Sequence, residues 1–223
     1  MKNHTTLAQI RSAGWRVAAL GLAVASLSSM MSACSPLVVS GAMVGGTLVA
    51  LDRRTSGAQV EDEAIELKGA LRVREVVSSG AHVNLTSYNR LVLITGEVPS
   101  ADELKKVEQA VSRVENVRSV VNELAVAPAS SLSTRSTDTV TTGRIKAAFI
   151  DTKDLQANTI KVVTERGIVY LLGRVTPRES KLAAEVVRGV PGVQKVVRVF
   201  ESITEEELAA MRQDSASDKN PKK

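Results

Sequence analysis

The chain's single cysteine, Cys34, stands directly behind the small pair Ser32-Ala33 and has no second thiol to join. A lone cysteine builds neither a disulfide framework nor a thiolate metal site. Of two histidines, only His82 lies beyond the first 33 residues, at the entry to a strand-like run, and it is expected at a surface or strand edge. There is no His pair at zinc spacing, no nucleophile elbow and no phosphate-cradling glycine loop. Acidic runs, Glu61-Asp62-Glu63 and Glu205-Glu206-Glu207, sit at predicted helix starts, where the macrodipole accounts for them. The residues therefore predict a protein without catalytic groups, metal ligands or cofactor. A hydrolytic activity that vanished on replacing one acidic residue would revive the enzymatic reading.

Composition narrows the partners. Residues 1–33 contribute Lys2, Arg11 and Arg16 and no acid, so the net charge of +5 falls to 26 positive against 24 negative without them. Aromatics are 2% of the chain: Trp15, Tyr88, Phe149, Tyr170 and Phe200. A stacking platform for single-stranded nucleic acid needs several exposed rings, so no nucleic-acid partner is expected.

A basic n-region, the apolar run 17–33 and small residues before Cys34 read as a secretory signal peptide, 1–33. Met31-Ser32-Ala33-Cys34 resembles the bacterial lipobox, with Met where Leu is usual, which makes Cys34 the lipidation site. The alternative is an uncleaved signal anchor with Cys34 as a buried thiol. Ser35, rather than Asp, after the cysteine favours the outer membrane over inner-membrane retention. Residues 34–60 are expected to form the lipidated N-terminus and a flexible spacer. The uncharged part, Pro36 to Leu51, is shorter than the ~20 residues a spanning helix needs.

The remainder contains one module twice. Leu91–Val98 matches Ile168–Val175 at an offset of 77, Val117–Asn122 matches Val193–Arg198 at 76, and Leu67–Leu71 matches Ile145–Phe149 at 78. Each copy reads αββαβ. The first, 61–126, has a helix over 62–77 with apolar positions Ile65, Leu67, Leu71, Val73 and Val76 mostly at helical spacing, strands at 82–88 and 91–98 joined by Asn89-Arg90, a helix opened by a Ser100/Glu103 capping box, and a third strand at 117–126. A Ser/Thr-rich linker, 127–137, follows. The second copy, 138–203, has a helix at about 138–150, strands at 159–165 and 168–175, a helix at 177–189 capped by Thr176 and Glu179, and a strand at 193–201. Residues 204–223 predict a short helix and a disordered tail from Asp214. Gly96 and Gly173 occupy equivalent strand positions, where a glycine usually marks close approach of another backbone, and are assigned structural roles, with helix packing favoured over any ligand. The predicted fold class is α+β: two tandem modules, each a three-stranded mixed sheet packed on two helices.

A signal and lipobox followed by two αββαβ modules with an L-x-G-x-V-type strand resembles the BON-domain proteins. Supporting matches are Gly57–Asp62, Asp138-Thr139 and Val162–Gly167. The resemblance, which covers Cys34 to about Ile203, implies an outer-membrane lipoprotein facing the periplasm that supports envelope integrity and acts at cell-division sites. It also implies that the second BON domain binds anionic phospholipid through its first helix. Carried onto this sequence, the phospholipid-binding residues are Val140, Thr141, Gly143, Arg144, Lys146 and Ile150. The resemblance leads to a tryptophan where Val140 stands; residues 34–223 contain none. Charge agrees with a division of labour, since residues 61–126 hold 8 Lys/Arg against 11 Asp/Glu and residues 137–203 hold 11 against 7. A basic domain beside an acidic one orients toward an anionic surface, though ordinary surface scatter gives such differences too. The competing function is a protein-interaction adaptor for division or outer-membrane assembly machinery, with the N-terminal anchor as its only lipid contact.

Overall fold

The computed structural model describes residues 52–218, with side chains through Met211. Expectations for the signal, Cys34 and most of the spacer lie outside the described residues, as do those for 219–223.

The first domain comprises α1 (Ser56–Arg74), β1 (His82–Tyr88), β2 (Leu91–Val98), α2 (Ala101–Ser112), β3 (Ser119–Asn122) and β4 (Ala125–Val126). The second comprises α3 (Leu132–Asp151), a 3-10 turn at Ala157–Thr159, β5 (Ile160–Glu165), β6 (Ile168–Val175), α4 (Pro177–Arg188) and β7 (Lys195–Ser202). A terminal helix, α5 (Glu205–Asp218), follows. In both domains the first two strands form an antiparallel hairpin and the third runs parallel to the middle strand. The α+β class and the mixed sheets are those the sequence predicts.

Several boundaries differ, each for a local reason. Helix α1 begins at Ser56, inside the expected spacer, because the Thr55 side chain accepts from Ala58 N. Helix α3 begins at Leu132, inside the expected linker, because Ser131 Oγ accepts from Thr134 N. Serines and threonines that read as linker composition are here capping residues. The expected third strand of the first domain is broken at Glu123-Leu124: Asn122 Oδ1 accepts from Leu124 N, and Leu124 turns into the core. Helix α5 reaches Asp218, past the expected order limit at Asp214. The Ser100/Glu103 box is half made, since Ser100 Oγ accepts from Glu103 N while the Glu103 carboxylate accepts from Ser78. The Thr176/Glu179 box is complete.

Each domain buries its own core between sheet and helices. In the first this is Ile65, Val73, Val92, Ile94, Val98, Val107 and Val111. In the second it is Ile145, Phe149, Val169, Leu171, Val175, Ala183 and Val187. A third cluster joins them: Tyr88 and Leu93 pack with Tyr170 and Leu172, flanked by Leu91, Val121, Ile168 and Val197. Alternate residues of β2 and β6 thus face helices on one side and the other domain's sheet on the other. The near-continuous apolar runs Leu91–Ile94 and Ile168–Leu172 are the sequence trace of strands buried on both faces.

The helix register of the repeat also differs. Asp62 and Asp138 both hold the hairpin turn of their own domain, so the first helices align at an offset of 76, not 78. Ile145 then corresponds to Gly69, whose missing side chain leaves room for Leu85 Cδ1, 2.6 Å from where a Cβ would stand.

Candidate functional site

Helix α3 turns Asp138, Thr141, Ile145 and Phe149 inward, at the spacing that follows one helix face. The opposite stripe carries Val140, Gly143, Ala147 and Ile150, with Leu132 two turns further toward the N-terminus. Val140 is 53% exposed and Ile150 is 74% exposed, far more than apolar side chains of a covered helix. Arg144 and Lys146 flank this stripe and are exposed. Five of the six residues assigned to lipid contact therefore share one accessible surface. Thr141 does not belong there: it is 2% exposed, and its Oγ1 donates to Thr137 O at 3.0 Å, turned toward the domain interior.

Helix α1 has its own outward stripe, which the periodicity argument missed. Leu67 and Leu71, counted among the helix's apolar positions, are exposed together with Val60 on one face, while Asp62, Ile65, Gly69 and Val73 point inward. Apolar type alone could not separate the two faces.

Gly96 has φ +113°, and a Cβ there would stand 2.0 Å from the His82 carbonyl oxygen. A Cβ on Gly173 would stand 2.6 Å from Thr159 O. Both glycines admit the backbone at the start of the neighbouring hairpin strand, rather than a helix as expected.

The buried acids have partners that a macrodipole argument does not supply. Asp62 accepts from Asn89 N and Arg90 N at 2.7 Å each, from Ser87 Oγ at 2.6 Å and from Arg54 Nη1 at 2.7 Å. Burial pushes its carboxyl up, but these donors outweigh burial and hold it below the ordinary carboxylate range. The turn it clamps has positive φ at Asn89 and Arg90, and the Asp138-clamped turn has the same at Arg166 and Gly167, the signature of type I′ hairpins.

Arg53 makes a bidentate pair with Glu179 of α4, at 2.6 and 2.8 Å, and donates to Arg174 O at 2.7 Å. It thereby fastens the segment before α1 to the second domain. Around the inter-domain cluster, Lys161 meets Glu66 at 2.8 Å, Asn89 Nδ2 donates to Glu201 at 2.7 Å, and Arg54 lies 4.3 Å over the Tyr88 ring.

His82, expected merely at a strand edge, lies at this junction. Its Nδ1 is 3.2 Å from Glu97 Oε2 and 3.8 Å from Glu165 Oε1, a carboxylate of the second domain. Burial, first of all, pushes the Glu165 carboxyl up, and nearby Glu97 and Asp138 add to the rise against the opposing Asn84 and His82. No sequence motif announces this group, because its members come from β1, β2 and β5. Among the described residues no helix is long and apolar enough to cross a membrane.

Comparison with known proteins places this geometry in a context. The BON-domain profile matches residues 62–128 and 137–202. The chain is 35% identical to the outer membrane lipoprotein DolP of Haemophilus influenzae over 172 residues, covering 76% of this chain and 89% of that protein. It is 31% identical to a 21 kDa hemolysin of Actinobacillus pleuropneumoniae, covering 67% of this chain and 78% of the other. It is also 29% identical to the osmotically inducible protein Y of Escherichia coli, covering 63% and 72% respectively.

Proposed function

The chain belongs to the BON-domain family, and from that premise we propose that it is a non-enzymatic envelope lipoprotein which contacts anionic phospholipid through the outer face of α3. Cleavage before Cys34 and acylation of that residue would anchor it in the outer membrane, facing the periplasm, where it supports envelope integrity. The observation that carries the lipid reading is the exposure of Val140 and Ile150 on one stripe with Arg144 and Lys146 beside it. Gly143 leaves a gap in that stripe, and nothing lies within 4 Å of where its Cβ would stand.

Magnitudes define what such a face can do. A basic residue near an anionic surface is worth about 1 kcal/mol. Val and Ile sinking partway into the headgroup boundary contribute about 2 kcal/mol between them. A total of about 4 kcal/mol corresponds to a dissociation constant of roughly 1 mM. The face by itself orients and discriminates; the acyl chains supply attachment. With no tryptophan at Val140, the apolar part of the contact is correspondingly modest.

The test is co-sedimentation of residues 35–223, which lack the signal and the acylated cysteine, with neutral and anionic liposomes at millimolar lipid, in low and high salt. Binding confined to anionic liposomes, weakened by salt and reduced at least tenfold in Arg144→Glu and in Ile150→Asp, is the expected outcome. Equal behaviour of wild type and both variants would defeat the reading.

A second reading, an adaptor for envelope proteins, is favoured by the α1 stripe. Val60, Leu67 and Leu71 are exposed on the domain whose acids outnumber its bases, a surface better suited to a protein than to an anionic membrane. Crosslinking through a photoreactive group at Leu67 would separate the two, since a lipid-only protein yields no protein adduct there.

A further inference from the structure

We propose that His82, Glu97 and Glu165 form a binding site for a divalent transition ion of the zinc class, which ties the two domains together at their junction. One ligand atom from each of the three residues falls within a sphere where all lie within 4.8 Å of one another. A tetrahedral ion with bonds of about 2.1 Å separates its ligand atoms by about 3.4 Å. The Nδ1 to carboxylate distances here, 3.2 and 3.8 Å, bracket that spacing without an ion. One imidazole and two carboxylates make the mixed nitrogen and oxygen donor set that zinc accepts. Calcium and magnesium prefer sites built from oxygen alone.

The second observation is a buried carboxylate oxygen without a hydrogen bond. Glu97 is 0% exposed, and its Oε1 has no hydrogen-bond partner. Arg166 Nε is 3.8 Å from that oxygen, too far to donate, and the arginine side chain is about half exposed. The other oxygen, Oε2, accepts from Ser130 N at 3.0 Å and faces His82. Glu97 is thus a buried carboxylate with one oxygen turned to His82 and the other left without a hydrogen bond, an arrangement that a cation held beside His82 and Glu165 would complete. The supporting shell is in place too. Asn84 Nδ2 donates to Glu165 Oε2 at 3.0 Å, which fixes that carboxylate with Oε1 toward the imidazole.

Position gives the site its consequence. His82 and Glu97 are direct cross-strand partners on β1 and β2, Glu165 ends β5, and Ser130 belongs to the connection between the domains. An ion there would join both sheets and hold the connection through the amide bonded to Glu97. The geometry belongs to the junction and is separate from the α3 face, so it stands or falls independently of lipid binding.

The experiment is calorimetric titration of the untagged full chain in detergent micelles with zinc chloride, with magnesium chloride in parallel, and thermal unfolding of the same samples. The expected result is one zinc ion per chain, no comparable magnesium binding, and a raised Tm. Glu97→Gln and His82→Gln are each expected to weaken binding at least tenfold and to abolish the Tm rise. Arg166→Ala, which removes a competing positive charge, is expected to tighten binding severalfold. Absence of zinc binding in the wild-type chain would overturn the proposal whether or not the variants fold. Binding that survives unchanged in both variants would overturn it equally, by placing the ion elsewhere.

Discussion

Replacing Asp62 with alanine would strand the two backbone amides of the Asn89–Arg90 turn, the Ser87 hydroxyl and the Arg54 guanidinium without their acceptor. Removing one partner from a buried charged network costs about 3–5 kcal/mol, and we expect urea denaturation of Asp62→Ala to show a loss of that order. The same carboxylate sets an acid limit. Its folded-state pKa lies below its ordinary 3.8, so the unfolded chain takes up the proton more readily. The stability it supplies is therefore complete above that ordinary value and disappears as pH falls through the lower native one. Glu165 has the opposite sign. Its native pKa is raised above 4.5, so its protonated form favours folding and that contribution fades as pH rises through the raised value. In metal-free protein, Glu165→Gln is expected to flatten stability against pH just above 4.5 and to be at least as stable as wild type at neutral pH. A less stable Glu165→Gln under those conditions would contradict the burial argument. That Asp62 and His82 are adjacent to so much polar structure was not legible from their neighbours in sequence, since their partners lie across hairpins and across domains.

At the scale of elements, two glycines give opposite predictions. Gly143 is exposed mid-helix with nothing within 4 Å of where a Cβ would stand, so Gly143→Ala should stabilise the chain by about 0.5–1 kcal/mol through helix propensity. Gly96 combines φ +113° with a carbonyl oxygen 2.0 Å from a would-be Cβ, so Gly96→Ala should cost more than about 3 kcal/mol or prevent folding of the first domain. Thermal unfolding monitored by circular dichroism distinguishes the pair by sign. Element types and most strand limits were readable, because alternating and continuous apolar runs and the Ser100 and Thr176 caps are local signals. The starts of α1 and α3 were not, because Thr55 and Ser131 sit in stretches whose composition reads equally well as spacer or linker.

At the scale of the molecule, the two domains share the Tyr88, Leu93, Tyr170 and Leu172 cluster and a rim of ion pairs, Lys161 with Glu66 and Arg118 with Glu201. They should therefore unfold together. Leu93→Ala and Leu172→Ala each remove a fully buried side chain from that shared cluster and should cost about 2–5 kcal/mol. Hydrogen exchange should then show protection falling in both sheets, not only in the mutated one. Loss confined to one domain would mean that the modules are thermodynamically separate.

The sequence by itself determined the repeat, the αββαβ order, the family and the cysteine on which anchoring is argued, because each is written in local pattern: periodicity, caps, turn residues and a short apolar run before a lone cysteine. Only the tertiary structure decided which apolar residues face solvent and which charges meet. Leu67 and Ile65 are both apolar and two positions apart, yet packing against the sheet buries Ile65 and leaves Leu67 outside. His82, Glu97 and Glu165 are distant in the chain and come together because two sheets stack with their apolar faces against each other. Burial is a property of what covers a residue, and the covering surface here is another copy of the same module.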